Sequence, residues 1–318
     1  MKRMIAMALA ILLCLSAFVG CTAPQKDKYV VGICQLVQHD ALDAATKGFK
    51  DALTEVLGDK VVFDEQNASN DSNACATIIN SFVSKNVDLI MANATPALQA
   101  AVAGTATIPI LGTSVTEYGV ALEIKDFNGV PGGNVSGTSD LAPLDMQAEM
   151  ILELFPNTKK VGLLYCSSEP NSEYQVKVVR EYLEGKGVEC KDFAFSDAND
   201  IAMFTTSACD FSDVIYVPTD NTVASSTGII DGICRPAKIP VVAGEENTCR
   251  GCGVATLSIS YYELGRKTGE MAARILKGEA DISTMAVEYD GNYKKKYNKE
   301  ICDELGIKIP DGYEAIAN

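Results

Sequence analysis

The 318-residue sequence has no tryptophan and only one histidine. Clefts that hold sugars commonly stack them on an indole, so the missing tryptophan weighs against a carbohydrate ligand. With a single histidine, any Ser-His-Asp or Cys-His arrangement must run through His39, and neither a GxSxG elbow nor a phosphate-cradling GxxxxGK[ST] loop occurs. The PGGN stretch at 131–134 is glycine-rich but has no lysine and no strand-to-helix setting. The chain therefore reads as a non-enzyme, with no metal and no cofactor expected. Positive charge is short as well: 27 Lys and Arg against 42 Asp and Glu leave a formal net charge of −15. Such a surface repels phosphate backbones and anionic headgroups, which argues against nucleic acid as a partner. After residue 20 no apolar run reaches the roughly eighteen residues of a membrane-spanning helix. A hydrophobic content of 47% with 22% charged residues is that of a globular chain long enough for two cores.

What is present begins with a short apolar run. Lys2 and Arg3 precede Ile5 to Val19 and a small Gly20, the layout of a secretory signal over residues 1–20. FVGC at 18–21 resembles a bacterial lipobox, which makes Cys21 the expected lipid-bearing N-terminus and 21–27 a tether; the alternative is an ordinary signal cut elsewhere. Of the 11 cysteines, Cys14 then leaves with the signal and Cys21 goes to lipid, so the nine that remain cannot all pair with one another. Most stand in apolar runs such as VVGIC and VGLLYC, where cysteine acts as a small hydrophobe. Cys249-Arg-Gly-Cys252 has the spacing of a zinc or redox site, but zinc takes about four ligands and no second CxxC or second histidine exists. A local disulfide and free thiols are the other readings.

Beyond the tether, apolar runs alternate with helical stretches: KYVVGIC, a helix from Asp40 to Leu57, KVVFDEQ, a helix from Asp71 to Lys85, VDLIMA, a short helix after Pro96, and TIPILG. Leu42, Ala45, Phe49, Ala52, Leu53 and Val56 recur at three- and four-residue spacing, with Asp40 placed to cap that helix and Gly58 to end it. The same grammar restarts near residue 160 with KVGLLYC, VECKDFAF, DVIYVPTD and IPVVAG. Two βαβ units follow, with strands buried on both faces. Open α/β sheets bind ligands at the carboxyl ends of their strands, so two such edges facing each other predict a cleft.

The segments GICQLVQHDALDAATKGF, VDLIMANATPALQA, PGGNVSGTSDLAP, LLYCSSEPNS, VPTDN, KIPVVAGEE and NKEICDELGIKIP resemble, in order and over nearly the whole mature chain, the ABC-transporter substrate-binding lipoproteins of the type that includes aromatic amino acid receptors. The resemblance implies a type I periplasmic-binding-protein fold: two Rossmann-like lobes with parallel sheets joined by three hinge crossings, near 137–143, 243–247 and 279–288. Lobe one would hold residues 28–140 and 246–280, and lobe two 141–245 and 281–318. It further implies a monomer, anchored outside the cytoplasm by its lipid alone, that passes a small amino acid, an aromatic one, to an ABC permease. A sensor or adhesin with the same fold and no transporter is the competing reading. The chain departs from the family at Val115-Thr116-Glu117-Tyr118, where a VTDP turn is common.

Helix N-termini suit a carboxylate, with Thr95 and Ser172 as hydroxyl donors or plain caps. Asp220 in VPTDN is the expected partner of an ammonium group, unless it only caps the following helix; Glu245 and Glu246 stand behind it. Tyr118 and Tyr165 are either an aromatic wall or ordinary packing. His39 is expected at the cleft rim rather than as a general base. The expected ligand contacts are Gln35, His39, Thr95, Ser114, Thr116, Asn171, Ser172, Asp220 and Glu245.

Overall fold

A computed structural model describes residues 27–317; the signal, Cys21 and most of the tether lie outside them. Thirteen strands form two sheets among the described residues. The first contains β1 (Tyr29–Gln35), β2 (Val61–Asn67), β3 (Leu89–Asn93), β4 (Ile110–Val115), β5 (Val135–Ser139) and, from much later in the chain, β11 (Glu288–Tyr289). Its spatial order is β2-β1-β3-β4-β5-β11, parallel throughout. The second contains β6 (Lys160–Cys166), β7 (Glu189–Phe195), β8 (Val214–Val217), β9 (Val241–Ala243), β10 (Ala255–Ser258), β12 (Lys294–Tyr297) and β13 (Glu314–Ala315). Its order is β7-β6-β8-β9-β10-β12-β13, parallel except for the antiparallel pair β10 and β12.

Burial explains the order. All five residues of β3 and all four of β8 are buried, as a central parallel strand covered by helices on both faces requires. VVFDEQN of β2 alternates instead and takes the edge. In each sheet the first strand lies between the second and the third, so the topological switch point falls beside β1 in one lobe and β6 in the other.

Three connections join the lobes; the second lies elsewhere than expected, and the third falls just beyond its expected span. The first follows β5, where the sequence placed it. The expected second crossing at 243–247 is not one: after β9 the chain continues through the helix Glu246–Cys252 into β10, which pairs with β9 in the second sheet. The chain changes lobes after Ser258 and returns after Tyr289, because β11 still pairs with β5. Residues 246–258 therefore belong to lobe two and 281–289 to lobe one. Alternation of runs marks that a strand exists, not which sheet accepts it.

The N-cap of the helix Asp40–Leu57 lies one residue earlier than expected. His39 holds the N-cap position without a side-chain bond, and Asp40 is the first helical residue, while Gly58 ends the helix at φ 56° as expected. This helix packs against Tyr261–Leu276, the first helix after the second crossing, almost backbone to backbone. A Cβ on Gly265 would lie 1.9 Å from the Ala45 carbonyl oxygen, and one on Gly48 would lie 2.0 Å from that of Tyr262. Neither backbone can retreat, since both helices are pressed on the sheet. Gly265→Val should cost about 3 kcal/mol or leave the chain unfolded. Urea unfolding checks this; a loss under about 1 kcal/mol would show that the crossing has slack.

Candidate functional site

The carboxyl ends of the two sheets face each other across one enclosed cavity. Lobe one brings His39 from the loop after β1, Ser114 and Thr116 from the end of β4, and Asp140 just after β5. Lobe two brings Asn171 from the loop after β6, Thr219 to Asn221 from the loop after β8, and Glu245 from the loop after β9. Tyr261, at the start of the helix that follows the second crossing, closes one side.

Lobe two's wall is built around a carboxylate that the sequence reading passed over. Glu169, 3% exposed, accepts from the backbone N–H groups of Asn221 (3.0 Å) and Thr222 (2.9 Å). It also accepts from the side chains of Asn221 (2.7 Å), Thr222 (2.8 Å) and Asn171 (3.2 Å). Asp220 is likewise committed: it accepts from Cys166 N–H at 2.7 Å, the Ser172 hydroxyl at 2.8 Å and Val223 N–H at 2.9 Å. Burial and the nearby Glu169 charge push its carboxyl up, against those three donors. Asp220 thus caps the short helix Asn221–Ala224 and ties it to β6. Glu245 caps the helix Glu246–Cys252 through Asn247 N–H and Thr248 N–H, and Glu246 is paired with Arg250 and Lys296.

The carboxylate left with a bare oxygen is Asp140. Its Oδ2 accepts from the Tyr261 hydroxyl at 2.9 Å, while its Oδ1 is buried and unpartnered. Burial pushes the carboxyl up to about 6, opposed by the Tyr261 hydrogen bond and by the nearby Thr116 hydroxyl, which makes no regular hydrogen bond to it, and reinforced by Glu245. Three more buried polar atoms without a partner line the same cavity: His39 Nδ1, Ser114 Oγ and Asn171 Oδ1. A buried polar atom normally finds a partner, and four such atoms around one cavity mark it as a place for a polar group. Two of them, Asp140 Oδ1 and Asn171 Oδ1, are pure acceptors, because the Asn171 amide nitrogen already faces Glu169, Ser172 and Thr219. Ser114 is placed by strain: at φ 53° it occupies the left-handed region at a bulge in β4.

His39 bridges the lobes. Its Nε2 lies 3.4 Å from Asn221 Oδ1, and since the Asn221 amide nitrogen donates to Glu169, Nε2 is the protonated nitrogen of that contact. Nδ1 is left facing the cavity. Asn70 donates to Thr222 across the same gap at 3.1 Å, and Arg250 reaches Asp40 at 3.3 Å. The lobes are closed on each other.

Six of the nine expected contacts line the cavity: His39, Ser114, Thr116, Asn171, Asp220 and Glu245. Gln35, Thr95 and Ser172 are not among the lining residues. Gln35 turns away, bonding Val37, Asp43 and Thr46 beside an open polar groove on lobe one. Thr95 is buried at its helix start, and Ser172 is spent on Asp220. The aromatic candidates also move: Tyr118 is buried with its hydroxyl on Thr138, where Glu117 caps the short helix Tyr118–Ala121, and Tyr165 packs in lobe two's core. Tyr261 is the ring at the cavity. Asp140 has a sequence signal, as the single carboxylate in PGGNVSGTSDLAP, but that stretch signals a hinge before it signals a ligand contact. Cys249 and Cys252 are buried free thiols, and no cluster of three possible metal ligands occurs among the described residues.

Known proteins share this architecture. The family model described as ABC transporter substrate binding protein matches residues 30–318. The tyrosine-binding protein of Clostridioides difficile is 36% identical over 295 residues, 88% of this chain and 85% of its own length. A Streptococcus pneumoniae ABC domain solved in complex with L-Trp superposes with a TM-score of 0.86 at 35% identity, over 91% of this chain and all of that one. The ligand-free, open structure of a substrate-binding protein with adhesive properties from Clostridium difficile reaches 0.69 at 38% identity, over 91% and 99% of the two chains. A 5-methylthioribose transporter solute binding protein from Thermotoga lettingae, 14% identical, has the same fold at 0.63.

Proposed function

The chain belongs to the ABC transporter substrate binding protein family, whose fold is that of type I periplasmic binding proteins, and we propose that it captures a free α-amino acid, an aromatic one, between its lobes. The observation that carries this reading is the pair of unpartnered acceptors, Asp140 Oδ1 and Asn171 Oδ1, in a cavity lined by three carboxylates and no lysine or arginine. Such a wall favours an ammonium group. The Ser114 hydroxyl lies on the same cavity as a donor for the ligand's carboxylate.

The ligands named for the relatives, tyrosine and L-Trp, favour an aromatic side chain. The better superposition on the L-Trp complex than on the open, ligand-free relative, at nearly equal identity, fits a receptor that closes over its ligand. Delivery to an ABC permease, a lipid anchor at Cys21, a position outside the cytoplasm and a monomeric state complete the proposal. The adhesive properties of one relative keep surface attachment without transport as the second reading; loss of uptake in a strain deleted for this protein separates the two.

A thermal-shift screen of the twenty amino acids should single out tyrosine, tryptophan or phenylalanine, because a ligand at 100 times its dissociation constant adds about 2.7 kcal/mol to the native state. A screen in which only sugars or nucleosides raise the midpoint would overturn the reading.

A further inference from the structure

Lobe two contains two cysteines in contact that the ligand site does not use. Cys209 lies in the last turns of the helix Ile201–Phe211, and Cys234 in the helix Thr227–Ala237 packed against it; their sulfurs are 3.6 Å apart. A disulfide holds its sulfurs at about 2.05 Å, so the pair must close by about 1.5 Å to bond. Access is unequal. Cys234 is buried at 2% exposure, whereas Cys209 is partly exposed. The hydrogen bond with Cys234 also lowers the Cys209 thiol's pKa, which makes Cys209 the sulfur that ionises and attacks first.

The chain between them gives the pair its interest. Residues 209–234 contain β8 and the Thr219, Asp220 and Asn221 wall of the cavity. A bond between Cys209 and Cys234 would close that whole segment into one covalent loop without touching His39 or Asp140.

We infer that Cys209 and Cys234 are a redox-convertible dithiol. The Cys209 thiolate attacks one sulfur of an external disulfide, a small molecule of the glutathione type or a thiol–disulfide oxidoreductase, and expels one thiol. Cys234 then loses its proton and displaces the second thiol from Cys209. The protein loses two hydrogens, the external disulfide becomes two thiols, and the Cys209–Cys234 bond is formed. This step is independent of which amino acid the cleft holds.

The test uses the native, full-length chain incubated with oxidised glutathione, then alkylated, digested and mapped by mass spectrometry. The expected product is a peptide pair joined through Cys209 and Cys234, with two fewer alkylated cysteines and a thermal midpoint above that of the reduced protein. Cys34 and Cys75 also share a hydrogen bond but are fully buried, and should stay reduced in the native state. Cys209→Ser and, as the more apolar control, Cys209→Ala should both abolish the two-thiol loss. Retention of all thiols, a glutathione adduct that persists on Cys209, or a linkage through any other cysteine would overturn the inference.

Discussion

Asp140→Asn is expected to weaken amino acid binding at pH 8 by thirtyfold or more while the protein remains folded. Under the proposed function, Asp140 Oδ1 meets the ligand's ammonium group in a closed, water-excluded cavity, and removing one partner of such a pair typically costs about 2–5 kcal/mol. Asparagine keeps the volume and an oxygen for the Tyr261 hydroxyl, so geometry is conserved and charge is not. The pH dependence separates this role from packing. In the unliganded protein burial holds the carboxyl at about 6, above its ordinary 3.8. Binding an ammonium requires the ionised form, so affinity should be flat above pH 7 and fall by about tenfold per unit below pH 6. The sign for stability is opposite: the folded state holds its proton more tightly than the unfolded one. The ligand-free protein therefore loses stability, about 3 kcal/mol, as pH rises from 4 to 6, and no more beyond. Calorimetric titration at pH 5, 6, 7 and 8 on wild type and variant checks both. Asp140→Asn binding within threefold of wild type, or a wild-type affinity that ignores pH, would remove Asp140 from the ammonium seat.

Glu169→Ala should be the most damaging substitution in lobe two. It strips the acceptor from two backbone N–H groups and three side chains that are buried with it. Each stranded donor costs about 1–3 kcal/mol, softened by local rearrangement and water entry, so a net loss of about 4 kcal/mol is expected. Because Asn221 and Thr222 also make the contacts to His39 and Asn70 across the cleft, the variant should bind ligand poorly even where it stays folded. Urea unfolding and calorimetry measure the two effects. Glu169→Gln, which retains an acceptor on one side only, should fall between. A Glu169→Ala protein with wild-type stability and affinity would mean that the loop after β8 holds its shape without the carboxylate.

Asp220 lines the cavity, yet its oxygens are spent on distant partners. It stands where such sheets bind ligands, but the carboxylate already serves Cys166, Ser172 and Val223. Capping is the other role VPTDN allows, and three hydrogen bonds favour it. Nothing in VPTDN announces that Cys166 N–H, fifty-four residues away in the chain, will point at this carboxylate.

The sequence by itself determined the two βαβ units, the buried central strands, the helix ends at Asp71 and Gly58, and most of the cleft loops, including His39, Asn171 and Glu245. These follow from local causes: periodicity, capping and the rule that parallel sheets bind at their carboxyl ends. Only the tertiary structure decided that β10 joins the second sheet, that Tyr261 and not Tyr118 faces the cavity, and that Asp140 keeps a bare oxygen while Asp220, Glu245 and Glu169 do not. The reason is physical: whether a polar atom is spent or free depends on donors brought from distant segments, and that pairing is set by packing, which no single stretch of chain encodes.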